Sequence, residues 1–331
     1  MNTTSNTTRT SASRRRLLTG LLAGAWALNT GTAQAQNNQT LKLIVGYTAG
    51  GPVDAAARLY GQVLARELGM TVRVENRPGA AGTIAANSVA KAKPNSLEVF
   101  FGASPTMTIS PHVIKPLNYD SFKDLVPLAP ILSYTNVLVV NASLPIKSVA
   151  DLTAYAKANP HKLMYGSAGM GASNHLSGEL FARRAGVNMT HIPYKGNAMA
   201  MNDVMGGQIQ MMFDIVGGAK PFIDAGKVRA LAVTSKERNP ALPQVPSLME
   251  LGVRDFDISN WYGLFGAVNT TPEMRKRIEE ASVRALQDVE LGKRWTEQGY
   301  LIWRAKPAEM GERMRSEHAL WGEVTRGMVF E

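Results

Sequence analysis

Residues 41–103 read LKLIVGYTAGGPVDAAARLYGQVLARELGMTVRVENRPGAAGTIAANSVAKAKPNSLEVFFGA. Residues 41–47 are short and mostly apolar, as a buried strand requires. A Gly-Gly-Pro turn follows, then a helical pattern over 53–67. Residues 71–75 predict a second strand, 79–92 a small-residue helix, and 97–103 a third strand. A β-α-β-α-β order with buried strands argues for a parallel sheet of the α/β class.

Working outward, a second series begins after Pro127, where two apolar segments end in NVLVVN at 136–141. Helices are expected at 148–159, 174–185, 198–207 and 219–225, alternating with strands at 163–166, 189–194, 209–215 and 228–234. A Pro-rich stretch, 240–246, interrupts the series before an apolar strand at 261–268. Helical stretches at 272–288, 291–298 and 307–327 close the chain. Thr270-Thr271-Pro272-Glu273 supplies a capping hydroxyl, proline at the first helical position and an early acid. Two α/β series of about 100 residues each and a helical tail predict two lobes.

Ahead of this lies an export address. Ser13-Arg14-Arg15-Arg16, an apolar run over 17–28, and Ala33-Gln34-Ala35 follow the order of a secretory peptide cleaved after Ala35. The apolar run is too short for a helix spanning about 30 Å of bilayer, which weighs against an uncleaved anchor. Ser13 to Leu18 also resembles a twin-arginine signal. The full chain of 331 residues carries a net charge of +10. Arg9, Arg14, Arg15 and Arg16 account for four of those charges, which leaves +6 after cleavage. No basic run with interleaved aromatics remains, so nucleic acid is not an expected partner. A mild positive field suits a small anion. With 45% hydrophobic and 19% charged residues, the composition excludes disorder. The chain has no Cys and five His, none at H-x-x-x-H spacing. That excludes a disulfide framework and thiolate chemistry, and no metal or cofactor is expected.

The loops after the strands carry what chemistry there is. Gly50, Gly51 and Asp54 lie in Ala49-Gly50-Gly51-Pro52-Val53-Asp54, where glycines admit a ligand and the helix start offers free N–H groups. Asp54 would otherwise simply cap its own helix. Ala80 belongs to the close-approach turn Gly79-Ala80-Ala81-Gly82, and Ser104 follows the third strand. Ser167, Ser173 and His175 lie in a second Gly-rich loop, 165–175, where His175 either donates to a ligand or packs on the helix face. Tyr194 and Lys195 close another strand, Lys195 with the alternative of a solvated loop lysine. Asp214, beside Gly217-Gly218, either reads a ligand amine or hydroxyl or caps the next helix. All fall at the carboxyl ends of expected strands, where open α/β sheets bind ligands. There is no P-loop, G-x-S-x-G elbow, H-E-x-x-H or kinase set. A triad of Ser167, His175 and Asp214 has no specific spacing, so binding is favoured over catalysis and no catalytic residue is assigned.

Five stretches carry a family resemblance: LKLIVGYTAGGPVDAAARLYGQVLARELG, VENRPGAAGTIAANSVAKAKP, YGSAGMGASNHLSGELFARRAG, HIPYKGNAMAMNDVMGGQIQMMFD and VRALAVTSKERNPALPQVPSLMELG. In this order over residues 40–331 they resemble the Bug family, the periplasmic solute-binding receptors of tripartite tricarboxylate transporters. The resemblance implies a type II periplasmic-binding-protein fold, with two α/β lobes joined by crossover strands and a ligand cleft between them. Domain 1 would be 36–138 plus 260–331, and domain 2 would be 139–259. It implies a monomer that captures a small organic carboxylate for membrane permease subunits. A sensory receptor signalling to a partner without transport is the alternative, and a hydrolase using Ser167 or His175 a third. Carried over by position, Gly50, Gly51 and Asp54 would serve the first lobe, and Ser173, His175, Tyr194, Lys195 and Asp214 the second. Two departures stand out: Ala49 where members commonly have Pro, and Asn95-Ser96 in place of Asp-Gly.

Overall fold

The computed structural model describes residues 39–94 and 96–327. The export segment with its cleavage after Ala35, and Asn95 of the turn noted above, lie outside the described residues. The first series is β1 (Thr40–Val45), α1 (Pro52–Leu68), β2 (Thr71–Asn76), α2 (Thr83–Ala90) and β3 (Glu98–Ala103). Short helices α3 (Ser104–Thr108) and α4 (Ser110–Val113) lead to the long strand β4 (Leu125–Asn141). The second series is α5 (Val149–Ala158), β5 (Met164–Ser167), α6 (Ser173–Ala185), β6 (Thr190–Pro193), α7 (Asn197–Met205), β7 (Met211–Ile215), α8 (Val216–Asp224) and β8 (Val228–Val233). The chain then returns through β9 (Ser259–Ala267), α9 (Pro272–Ala285), α10 (Val289–Glu297), β10 (Leu301–Ile302) and α11 (Pro307–Val324).

Strand order is β2-β1-β3-β9-β4-β7-β5-β6, with β8 and β10 also on β4. β1 pairs in parallel with β2 and β3, and β5 pairs in parallel with β6 and β7. The centre is antiparallel, β9 lying against β3 and β4. β4 changes partner along its length. Its residues up to Thr135 pair with β9, ending at Thr135 opposite Ser259, and from Asn136 on it pairs with β7 and β8. The sequence suggested two apolar segments here rather than one strand of 17 residues. Pro127 and Pro130 sit where the register against β9 shifts, and a bulge tolerates a residue that cannot donate to the ladder.

Alternation along β4 builds the two faces of the second half. Leu138 and Val140 join Phe181, Met211 and Phe213 on one face, while Val137 and Val139 join Met201, Val204 and Met212 on the other. Full burial of each such side chain contributes about 1.5–3 kcal/mol. In the first half Leu43 and Phe101 pack under α1, α9 and α10 through Tyr60, Ile278 and Trp295. Ile44 and Phe100 pack on the opposite face under α2 and α11, against Ala85 and Met310. Sheets covered by helices on both sides are what near-continuous apolar strands demand. The helical tail therefore belongs with the first half. No helix among the described residues is long and apolar enough to cross a membrane.

Gly178, inside α6, shows packing overruling propensity. Alanine there would gain up to about 1 kcal/mol of helix propensity. Its methyl would lie 2.2 Å from Cε2 of Tyr165, a fully buried ring stacked on His191. Overpacking costs about 1–3 kcal/mol, so Gly178→Ala is expected to lower the urea midpoint. A raised or unchanged midpoint would show that the ring yields.

Candidate functional site

Six loops meet along the seam between the two halves, and each follows the carboxyl end of a strand. Where they touch, the second half presents glycines. A methyl on Gly196 would lie 2.3 Å from Thr48 Oγ1, and one on Gly169 3.1 Å from Ala81 N. One on Gly171 would lie 2.8 Å from Val113, and one on Gly218 3.1 Å from Pro52. At these points the loops after β5, β6 and β7 thus close on the segments after β1, β2 and β3 with no side chain of their own between them.

The first half's loops are held from behind. The expected helix over 79–92 starts as a tight turn, Ala80–Gly82, with Ala80 at φ 46° and Ala81 at φ 52°. Left-handed alanines cost roughly 1–2 kcal/mol each, and hydroxyls offset that strain. Tyr47 (3.0 Å) and Thr106 Oγ1 (2.7 Å) both donate to Ala81 O, and Thr83 Oγ1 donates to Ala80 O (2.8 Å). Asp54 ties the first loop together and does not cap α1. Its Oδ2 accepts from Gly50 N (3.0 Å) and Arg58 Nε (2.8 Å), its Oδ1 from Asn76 Nδ2 (2.8 Å). Burial pushes this carboxyl up, but the bonds from Arg58, Gly50 and Asn76 outweigh it and hold its pKa below the ordinary range. Gly51 is the residue before α1, whose first turn keeps free N–H groups. Gly50, at φ 80°, is exposed beside it. Ser104 is buried at the start of α3 and accepts from Trp261 N (3.2 Å).

The second half satisfies much of its own Gly-rich loop. Ser167 Oγ accepts from Gly169 N, Asn174 Oδ1 from Ala168 N, and His175 Nδ1 from Gly171 N, each at 3.1 Å. The N–H groups left for a ligand are therefore those of the first turn of α6, at Ser173 and Asn174. His175 stacks on His191 at 4.1 Å, and Tyr165 covers the other face of His191. Burial, then the neighbouring His191, pushes the His175 pKa down to about 3; burial alone brings His191 to about 4. Both rings are neutral at physiological pH. Ser167 pairs not with His175 but with His191 Nε2, at 2.6 Å. A fully buried hydroxyl facing so weak a base is poorly suited to nucleophilic attack.

The Tyr194 side chain is turned to its own half. The Tyr194 hydroxyl donates to Asp203 Oδ2 of α7 (2.6 Å), and Lys195 is exposed. Asp214 reaches the seam, 2% exposed at the end of β7. Its Oδ1 accepts from Asn197 Nδ2 and from Ile215 N, and α8 receives no side-chain cap.

Sequence reasoning missed a set of buried polar side chains, Asn136, Asn260 and Tyr262 on the crossover strands among them. Thr48 Oγ1, Ser110 Oγ, Asn136 Oδ1, Asn260 Nδ2 and the Tyr262 hydroxyl are buried without a partner among the described residues. Tyr262 lies 4.5 Å from Tyr134 and 6.4 Å from Tyr300, ring to ring. Burial, then the charges of Tyr134, Tyr300, Tyr47 and Asp214, holds its pKa well above the ordinary value, so it stays a donor. Tyr134 reaches across to Ser173 of the second half. The available signal was an asparagine inside each apolar crossover run, NVLVVN and NWYGLFG.

Residues 56–327 match the model of the tripartite tricarboxylate transporter family receptor. The chain belongs to this family. Among solved structures similar to it, the periplasmic binding protein BugD has 30% identity and a TM-score of 0.84, over 87% of this chain and 96% of that one. MatC from Rhodopseudomonas palustris, with bound malate, has 30% identity and a TM-score of 0.83, over 86% and 98%. R. palustris Rpa4515, with adipate, has 32% identity and a TM-score of 0.84, over 87% and 96%. The receptor fold is thus the two-lobed one of periplasmic binding proteins, and family and fold are those of solute-binding proteins.

In this receptor the Asp214 carboxyl, buried against little but neutral groups, has its pKa pushed up by burial to about 6, against 3.8 ordinarily. A raised carboxyl favours the folded state most when protonated, so stability is lost as pH rises from about 4 to about 6. That shift corresponds to roughly 3 kcal/mol at neutral pH. Asp214→Asn is therefore expected to be more stable than wild type in urea at pH 7, with the gap closing near pH 4. Equal midpoints at both pH values would contradict this.

Proposed function

We propose that this chain is an exported periplasmic receptor, cleaved after Ala35, that captures a small organic carboxylate between its lobes for a membrane permease. It works as a monomer and performs no catalysis. The first lobe takes in the tail from 260 onward, the boundary on the outgoing strand lies at the partner change between Thr135 and Asn136 rather than at 138, and the lobes bend where β4 and β9 cross between them. The observation that carries this reading is the set of buried donors without partners, Thr48, Asn260 and Tyr262, on a seam closed by glycines. Each helix start facing it favours an anion by about 0.3–1 kcal/mol, and each bond to a charged group adds about 1.5–3 kcal/mol. Two or three such contacts hold a carboxylate without a cationic side chain.

In this reading the ligand meets main-chain groups of Gly51, Ala80 and Ser173, and the side chains of Thr48, Tyr262 and Asp214. Gly50, Asp54, Ser104, Ser167, His175 and Tyr194 shape the loops from behind, and Lys195 adds field only. Malate and adipate, bound by two similar proteins, mark the size and charge to test first.

Calorimetry over dicarboxylates and tricarboxylates and their amides tests it: an acid should bind and its amide should bind far more weakly. Equal affinity for both, or no binding by any acid, would remove the reading. Gly196→Ala separates closure from folding. Its φ of 170° suits any residue, so only the contact with Thr48 is disturbed. Affinity should fall tenfold or more while the urea midpoint of the unliganded protein stays put. Unchanged affinity would mean that the seam need not close on the ligand.

A further inference from the structure

Asp214 is a puzzle for a site that takes anions. Its side chain is buried, and no ion pair reaches it among the described residues: Arg58 of α1 is held by Asp54, and Lys220 of α8 by Asp224. Its Oδ1 is satisfied twice, by Asn197 and by Ile215 N. Its Oδ2 accepts nothing from the described residues and lies where the two halves meet. A methyl on Gly218 would be 3.1 Å from Oδ2 and equally 3.1 Å from Pro52 Cβ and Cγ, at the start of α1. Capping α8 does not account for this placement, since α8 takes no side-chain cap. A second carboxylate brought here bare would face like charge in a buried place. A hydroxyl or ammonium would instead complete the spare oxygen.

We infer that Asp214 Oδ2 reads a hydrogen-bond donor on the ligand's carbon skeleton, so that the receptor selects hydroxy- or amino-carboxylates over plain ones. This rests on the carboxylate-receptor reading above. The two donors share one chemistry, and matched acids separate them.

The test is calorimetry on the full mature protein with three series: succinate, malate and aspartate; glutarate, 2-hydroxyglutarate and glutamate; tricarballylate and citrate. In whichever series binds, the member with the donor should bind about tenfold tighter or more than the plain acid, the scale of one hydrogen bond to a charged group. Preference for the hydroxy acid or for the amino acid identifies the donor. Asp214→Asn keeps an acceptor for Asn197 and Ile215 N, and should shrink the ratio of affinities between the substituted and the plain acid to a few-fold, whatever the variant's absolute affinity. Plain and substituted acids binding equally to wild type would overturn the inference alone, whether or not the variant folds. An undiminished preference in Asp214→Asn would overturn it too. Failure of every acid to bind would instead remove the receptor reading, and this inference with it.

Discussion

Everything in the molecule hangs on one strand exchanging its hydrogen-bond partner. β4 is paired with β9 as far as Thr135 and with β7 and β8 from Asn136 onward. A strand that serves two sheets must keep every backbone group satisfied through the change, because an unpaired buried amide costs as much as a lost hydrogen bond. Thr234 accomplishes this at the junction: Asn136 N donates to its hydroxyl, and its own N–H donates to Asn136 O. That solution fixes where the halves separate, and so which loops can face one another. With β9 returning beside it, the tail helices are obliged to cover the first half.

Facing loops create a second constraint, since main chain must approach main chain. Glycine at 169, 171, 196 and 218 allows it from one side, and a strained pair of alanines at 80 and 81 meets it from the other. Strain of this kind persists only where surrounding bonds over-determine it. Here Tyr47, Thr83 and Thr106 supply them. The second-half loop is fixed by the opposite device, side chains of Ser167, Asn174 and His175 accepting from its amides. The lips of the seam are therefore rigid before anything binds, which lowers the ordering cost of association.

Polar groups divide by role along the same line. Behind the loops, Asp54, Ser167, Asn174 and His175 are engaged by main-chain or side-chain partners. At the seam and the crossover strands, Thr48 Oγ1, Asn136 Oδ1, Asn260 Nδ2 and the Tyr262 hydroxyl are buried without a partner among the described residues, and Asp214 holds a charge where burial disfavours it. Such groups subtract from stability, each by about 1–3 kcal/mol. Of the nine buried polar atoms without a partner among the described residues, five lie here, on Thr48, Ser110, Asn136, Asn260 and Tyr262, and four elsewhere, on Asn87, Ser121, Trp295 and His318; the grouping of five fits a site shaped for something other than folding.

The sequence alone determined the alternation of strands and helices within the two series, because hydrophobic periodicity and Gly-Pro punctuation are local, but not the short α3, α4 and β10 or the continuity of β4. It also pointed to the loops that meet along the seam, because they follow strand ends, where α/β sheets bind ligands. It placed Asp214 and Ser173 at those ends. It could not show that Tyr194 is engaged by Asp203, that Ser167 meets His191 rather than His175, or that Asp54 serves its own loop. Nor did it single out Asn136, Asn260 and Tyr262, which read as members of apolar strands. Those assignments depend on contacts between residues far apart in the chain. Whether a hydrogen-bonding group has a partner is a property of its surroundings in three dimensions, and only the tertiary structure decides it.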